Sequence, residues 1–229
     1  MGRRHAPQTG AYVLAAALAA CASGESEQKA VELISQAKAA MGGDSWDRIE
    51  IWHETGQAVS SDGTIRYEHW HDSKSLNTRN ISSDASGVRH YMLYDGKASY
   101  QSNDPEFRNR TPINLKVVRN GTYLVAFGFF FRERFPASFQ YEGSKPDRGT
   151  TFDVVRVTPQ DFDPVEIWLD PKNHRISRVV SVGGESHIDL SEYREVDGIL
   201  VPFKTVGDGI TTRIDTLRFE PRDSVTFSP

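Results

Sequence analysis

The spacing of hydrophobic positions changes character along the chain. Between Glu27 and Met41, the residues Ala30, Leu33, Ile34, Ala37 and Met41 recur at helical intervals. Glu25 and Glu27 sit at the start, where the helix dipole favours acids, and Gly42-Gly43 follow as a stop signal. From Ile49 the period drops to that of a strand. Ile49–Ser60 and Thr64–His71 read as a hairpin around Asp62-Gly63, with Thr64, Arg66, Glu68 and Trp70 alternating with Ile65, Tyr67, His69 and His71. Leu76–Ser82 continues as a strand, Val88–Tyr94 and Lys97–Gln101 pair around Asp95-Gly96, and Ser102–Pro112 has the composition of a loop. After a helical interruption at Ile113–Phe135, strands resume: Ala137–Glu142, Phe152–Thr158, Val165–Leu169, Arg175–Val182, His187–Glu195, Ile199–Lys204 and Thr211–Glu220. These segments amount to about eleven strands with the spacing of an all-β sandwich or barrel, preceded by one amphipathic helix.

The interruption is the most aromatic part of the chain. In YLVAFGFFFRERFP, Tyr123–Pro136, five of the twelve Phe fall close together. Tyr123, Phe127, Phe130 and Phe131 share one helical face; Leu124 and Phe135 lie close to it and Phe129 lies off it. Gly128 weakens the helix at its centre, and Asn120-Gly121 divides the region into two short helices. Such a stripe either packs on a sheet as core or forms a lid whose Phe face closes an apolar cavity.

Composition narrows the field of functions. With 38% hydrophobic and 25% charged residues the chain is an ordinary globular protein, and its net charge of −4 is interspersed rather than blocked. The sequence lacks the basic run expected of a nucleic-acid binder. Its one cysteine rules out an internal disulfide and any cysteine-based metal site. That cysteine is placed informatively. Arg3 and Arg4 form a basic start, Ala11–Ala20 is an uncharged run too short to span a bilayer, and Leu18-Ala19-Ala20-Cys21 closes it. The pattern resembles the bacterial lipobox, which implies a signal peptide over 1–20, a diacylglyceryl group on the Cys21 thiol and a tether over 21–28. Ala22 is not the Asp that holds such lipoproteins at the inner membrane, so the expected address is the periplasmic face of the outer membrane. Three acyl chains on Cys21 would exceed the two signals that stable anchoring needs.

The order of helix, hairpins, helical interruption and further hairpins resembles the LolA-like periplasmic carriers of lipoproteins and lipids. The segments AKAAMGGDSWDRIE, FRERFPASFQYEG, FDVVRVTPQDFDPVEIWLDPKNHRISRVV and SEYREVDGILVPF are similar to those of bacterial outer-membrane lipoprotein-sorting-like proteins. The Trp-bearing strand running into Asp170-Pro171 is the most specific of these features. The resemblance covers about residues 30–220 and implies one domain over 29–229. Its fold would be an incomplete antiparallel β-barrel, mainly β, with the N-terminal helix and a helical lid on its concave, apolar face. The family's dedicated shuttle is soluble, whereas an acylated Cys21 implies an anchored acceptor or binding module. Similar domains precede retropepsin-like proteases, but the sequence has no Asp-Thr-Gly or Asp-Ser-Gly.

The expected ligand is a lipid, an acyl chain or a lipoprotein's acyl chains, since a dry cavity stabilises an acyl chain by about 0.8 kcal/mol per buried CH₂. The pocket candidates are Tyr123, Phe127, Phe130 and Phe131 from the lid, and Ile65, Tyr67, Ile167, Leu169, Val201 and Phe203 from the strands, with Val154, Val165, Ile188 and Leu190 beside them. Which of the strand residues face inward depends on register, because a slip of one residue turns every side chain over. One alternative is a structural envelope module whose core is filled by its own side chains. Another is an envelope hydrolase around His53, His69 and His71. His69-Trp70-His71 places two imidazoles on one strand face, but the chain lacks H-E-x-x-H, G-x-S-x-G, a P-loop and G-x-G-x-x-G. Asp161, Asp163 and Asp170 stand next to Pro and in turns, where Asp is a common turn former. No metal, cofactor or catalysis is expected.

Overall fold

The computed structural model describes the backbone over 10–183 and 186–228, and the side chains from Gly24 onward. The side chains of Cys21 and of the expected signal peptide, 1–20, lie outside the described residues. Helix α1 (Gly10–Ala40) comes first, and no described helix is long and apolar enough to cross a membrane. The strands are β1 (Ile51–Ser60), β2 (Gly63–Asp72), β3 (Thr78–Ser83), β4 (Arg89–Tyr94), β5 (Ser99–Ser102), β6 (Thr111–Pro112), β7 (Ala137–Asp147), β8 (Thr150–Pro159), β9 (Val165–Leu169), β10 (Ile176–Ser181), β11 (His187–Val196), β12 (Ile199–Gly207) and β13 (Ile210–Glu220). Helix α2 (Leu115–Val125) lies between β6 and β7.

All thirteen strands belong to one antiparallel sheet, in the order β6-β5-β4-β3-β2-β1-β13-β12-β11-β10-β9-β8-β7. It is open, with β6 and β7 as its two edges, and so is an incomplete rather than a closed barrel. Two meanders, β1–β6 and β7–β13, meet where the first strand pairs with the last, from Ile51 opposite Glu220 to Val59 opposite Thr211. Several hairpins turn on a residue of positive φ followed by glycine. Arg148-Gly149, Asp197-Gly198 and Asp208-Gly209 all have both φ values positive, the I′ geometry whose twist matches the strands. The short β6 falls inside the expected Ser102–Pro112 loop, one reason the strands outnumber the sequence expectation.

The backbone of 21–28 belongs to α1. Ser26 Oγ donates to the Tyr141 carbonyl at 3.2 Å and accepts from the Tyr141 amide at 3.1 Å, tying the helix to edge strand β7. Ala30, Leu33, Ile34, Ala37 and Met41 form the buried face of α1. At its C-terminus the Met41 carbonyl accepts from both Trp46 Nε1 and the Leu200 amide, each at 2.9 Å, which satisfies one of the orphan acceptors of a helix end. Gly42 packs so closely on the β11–β12 turn that a Cβ there would lie 2.8 Å from the Gly198 carbonyl.

The aromatic segment is not the continuous helical face that its spacing predicts. Asn114 caps α2, its side chain accepting from the Lys116 and Val117 amides, and the helix stops at Val125. Phe127 is left-handed at φ 51°, and a single 3-10 turn, Gly128–Phe130, follows. The turn brings Gly128 against the Tyr123 ring, 2.2 Å from where a Cβ would stand. Phe129, off the expected face, becomes as buried as its neighbours. Trp46 sits at the middle of the result, 5.0 Å from the Phe127 ring and 5.3 Å from Phe130.

Candidate functional site

Strand register decides which side chains look into the concavity. Trp52 is opposite His71, Glu54 opposite His69 and Gly56 opposite Tyr67, so these six share the inner face of β1 and β2. Across the seam, Trp52 pairs with Phe219 and Gly56 with Ile214, which carries the same face onto β13. Between this wall and α2 lies a cavity of about 230 Å³. Trp52, Glu54, Tyr67, Val201, Phe203, Ile188, Leu190 and Ile214 form its sheet side, and Leu124, Val125 and Phe127 form its roof.

Of the pocket residues expected from sequence, Tyr67, Phe127, Val201 and Phe203 line this cavity, together with Ile188 and Leu190. Tyr123 lies instead in the core, stacked on Phe162 at 4.5 Å. Phe130 and Phe131 border a different cleft, about 540 Å³, beside α1, where Lys38, Asp47, Arg132, Glu133 and Arg134 make the walls charged. Ile65 is on the concave side but at the exposed hairpin tip, beyond the cavity. Ile167, Leu169 and Val165 are buried in the main core, and Val154 turns to the opposite face with Trp168. Val125, Ile214 and Glu54 carry no signal in the sequence that marks them as lining, and Leu124 reads there only as a neighbour of the aromatic face. Leu124 and Val125 follow Tyr123 on the lid, but no periodicity could foresee the break at Phe127 that turns them to the cavity.

The roof is fixed at its outer end. Asn120 Nδ2 donates to Asp163 at 2.6 Å, the Asp163 amide donates back to Asn120 at 3.1 Å, and Lys116 pairs with the same carboxylate at 2.7 Å. Asp163, read from sequence as a turn former, thus also moors α2 to the β8–β9 loop. Asp170 caps its own turn, accepting from the Lys172 amide at 2.8 Å.

The inner end of the cavity is polar. Glu54 is buried, and its Oε2 accepts from Trp52 Nε1 at 2.7 Å. Burial raises its carboxyl above the ordinary range, against the hydrogen bond from Trp52. The Tyr67 ring crosses β1 over Gly56, where a Cβ would lie 2.7 Å from the Tyr67 hydroxyl. That hydroxyl is turned toward Glu54 without completing a hydrogen bond of good geometry, and burial followed by the Glu54 charge raises its pKa. Behind them His69 Nε2 meets Thr78 Oγ1 at 2.5 Å, with Nδ1 4.0 Å from Glu54. Burial lowers His69 to about 4. His71 is wholly buried against Trp52, their ring centroids 5.3 Å apart; neither nitrogen has a partner, and burial holds it well below the ordinary imidazole value.

His53 does not join them. It faces the other side of the sheet, between Glu220 at 2.8 Å and Glu68 at 2.9 Å, with Trp70 stacked at 4.4 Å. Among the described residues no three His, Cys, Asp or Glu side chains are grouped as a metal would require.

No family model matches the chain, and no curated protein does. Solved structures do. A domain from Vibrio parahaemolyticus named for outer membrane lipoprotein sorting superposes with a TM-score of 0.51 at 11% identity, covering 85% of this chain and 93% of that one. A DUF1329 family protein from Desulfovibrio piger gives 0.51 at 12% identity over 83% of this chain and 93% of that one. At such identity the likeness is one of fold: the chain has the LolA-like open barrel that its sequence resembles.

Proposed function

We propose that this protein is an anchored lipoprotein of the bacterial cell envelope that holds an acyl chain or similar apolar ligand beneath α2. The observation that carries this reading is the cavity of about 230 Å³ walled by Val201, Phe203, Leu190 and Ile214 and roofed by Phe127. Burying alkyl groups there stabilises the complex by about 0.8 kcal/mol per CH₂, and a roof over the site keeps that apolar surface from water when it is empty. The Cys21 thiol accepts the lipid anchor, with the outer membrane as its address, and the fold's likeness to a lipoprotein-sorting domain supports an acceptor or carrier role. The part it plays is holding rather than catalysis.

The experiment is native mass spectrometry of protein extracted from membranes, beside Cys21→Ser. The wild type should carry the acyl mass on Cys21 and a second, noncovalent apolar ligand. The mutant should leave the membrane fraction and lose only the covalent mass. Unchanged mass and fractionation in the mutant would refute the anchor, and a ligand-free wild type would refute the carrier.

A second reading has its own support. Tyr123, Phe129, Ile167 and Leu169 fill much of the concave side, as in a structural envelope module with a filled core. A ligand-free wild type with a stable fold would select it.

A further inference from the structure

The cavity is graded in depth and in polarity along the same axis. At one end Val125 and Ile188 are 37% and 38% exposed, and Thr205 and Thr212 stand beside them. At the other end Val201 and Trp52 are closed off at 0% and 2%, and there Glu54 sits, 7% exposed. A lipid entering tail first would bring a terminal methyl against a carboxyl. That contact would leave the free Glu54 oxygen and the Tyr67 hydroxyl without partners in a desolvated site, the costly arrangement for buried polar groups.

The local structure commits both groups to this position. Glu54 lines the cavity with its Oε2 occupied by Trp52 Nε1, which leaves Oε1 as the oxygen available to a ligand. Gly56 provides the space in which the Tyr67 ring lies flat across β1, and the Tyr67 hydroxyl remains unpartnered beside that carboxyl. His69 Nδ1, 4.0 Å from Glu54 Oε1, is too distant to satisfy it. No lysine or arginine lines the cavity, so an anionic head group has no counter-charge there.

From this geometry, and resting on the carrier reading above, we infer that the ligand enters head first and that its buried end is an uncharged or cationic hydrogen-bond donor, a hydroxyl or an amine, rather than a carboxylate. A hydroxyl donates to Glu54 and accepts from Tyr67; an amine donates to either oxygen. The apolar body then runs outward past Phe203 and Leu190 to Ile188. At the ~30 Å³ occupied by a liquid water, the space holds about eight non-hydrogen atoms, so a short chain fills it.

The test is calorimetric titration of the purified chain with 1-octanol, octylamine and octanoate at neutral pH. Either donor should bind at least tenfold more tightly than octanoate. Glu54→Gln, whose amide can donate to a carboxylate, should narrow that ratio to within about threefold, and Tyr67→Phe, which removes the donor to the ligand hydroxyl, should weaken octanol while leaving octylamine in place. Circular dichroism checks that both variants fold, and Tyr67→Phe remains informative if Glu54→Gln does not. Octanoate binding as tightly as the donors, or a ratio unmoved by either folded variant, overturns the head-first assignment while leaving the carrier reading intact. Absence of binding by all three overturns both.

Discussion

The buried histidines are the residues whose chemistry most exceeds their apparent importance in the sequence. Alternation along β2 makes it legible that His69 and His71 share a face and Trp70 faces away. Their depth is not legible, because it follows from the β1–β2 register that sets them opposite Glu54 and Trp52. Burial, and then the neighbouring His53, lower His69 from 6.5 to about 4, and His71 is pushed in the same direction. The unfolded chain therefore binds protons that the folded chain refuses as pH falls from about 6.5 toward 4, and stability falls with it. For His69 alone the loss reaches about 2 kcal/mol by pH 5. Glu54 acts with the opposite sign, since its raised pKa contributes stability at low pH that is lost as pH rises, and so offsets part of the effect. Urea unfolding between pH 8 and pH 5 should show the wild type weakening and His69→Gln weakening by about 2 kcal/mol less over the same interval. Parallel pH dependences would show that His69 takes up its proton in the folded chain too.

At the scale of elements, helical periodicity located the aromatic segment but misjudged its path. A continuous helix would have set Phe129 apart from Phe127 and Phe130. The left-handed Phe127 and the contact of Gly128 with Tyr123 fold the chain back, so that the group divides by role. Phe129 is 1% exposed among core side chains, whereas Phe127 both packs on Trp46 and roofs the cavity. The helical character of α2 was legible from its local period, but the helix runs through Asn120-Gly121, where the sequence places a division, and breaks at Phe127 instead; that break depends on the Tyr123 ring being fixed by Phe162. Phe129→Ala should therefore cost about 3–5 kcal/mol, as pure core does. Phe127→Ala should cost less stability and weaken binding of an apolar fluorescent probe. Comparison of thermal unfolding with probe affinity separates the two. Equal stability losses without a change in affinity would make Phe127 simply another core residue.

At the scale of the whole molecule, one strand pairing is non-local. Every other strand contact follows a hairpin or short connection, but β1 and β13 join the two meanders in the middle of the sheet, with Trp52 opposite Phe219. Hairpin signals made the two meanders legible; no local signal announces a seam between residues so distant in sequence, and pairing of that kind forms slowly because loop-closure entropy comes first. On the outer face His53 spans the seam, between Glu220 of β13 and Glu68 of β2. Burial alone would raise the Glu220 carboxyl, but hydrogen bonds from His53, Arg218 and Ser224 outweigh it and hold the group at about 2. A carboxylate depressed in this way contributes stability that is complete above its ordinary value near 4.5 and is lost as pH falls toward 2. Glu220→Gln should lower stability at neutral pH by roughly 1.5–3 kcal/mol, the usual worth of hydrogen bonds to a charged group, and should flatten the acid limb between about 4.5 and 2. If the seam opens as its own cooperative unit, hydrogen exchange in this variant should quicken at β1 and β13 amides while β9 and β10 keep their protection. Uniform quickening would mean that the sheet opens as a single unit, and unchanged exchange would mean that backbone pairing and the Trp52–Phe219 contact hold the seam without the His53 bridge.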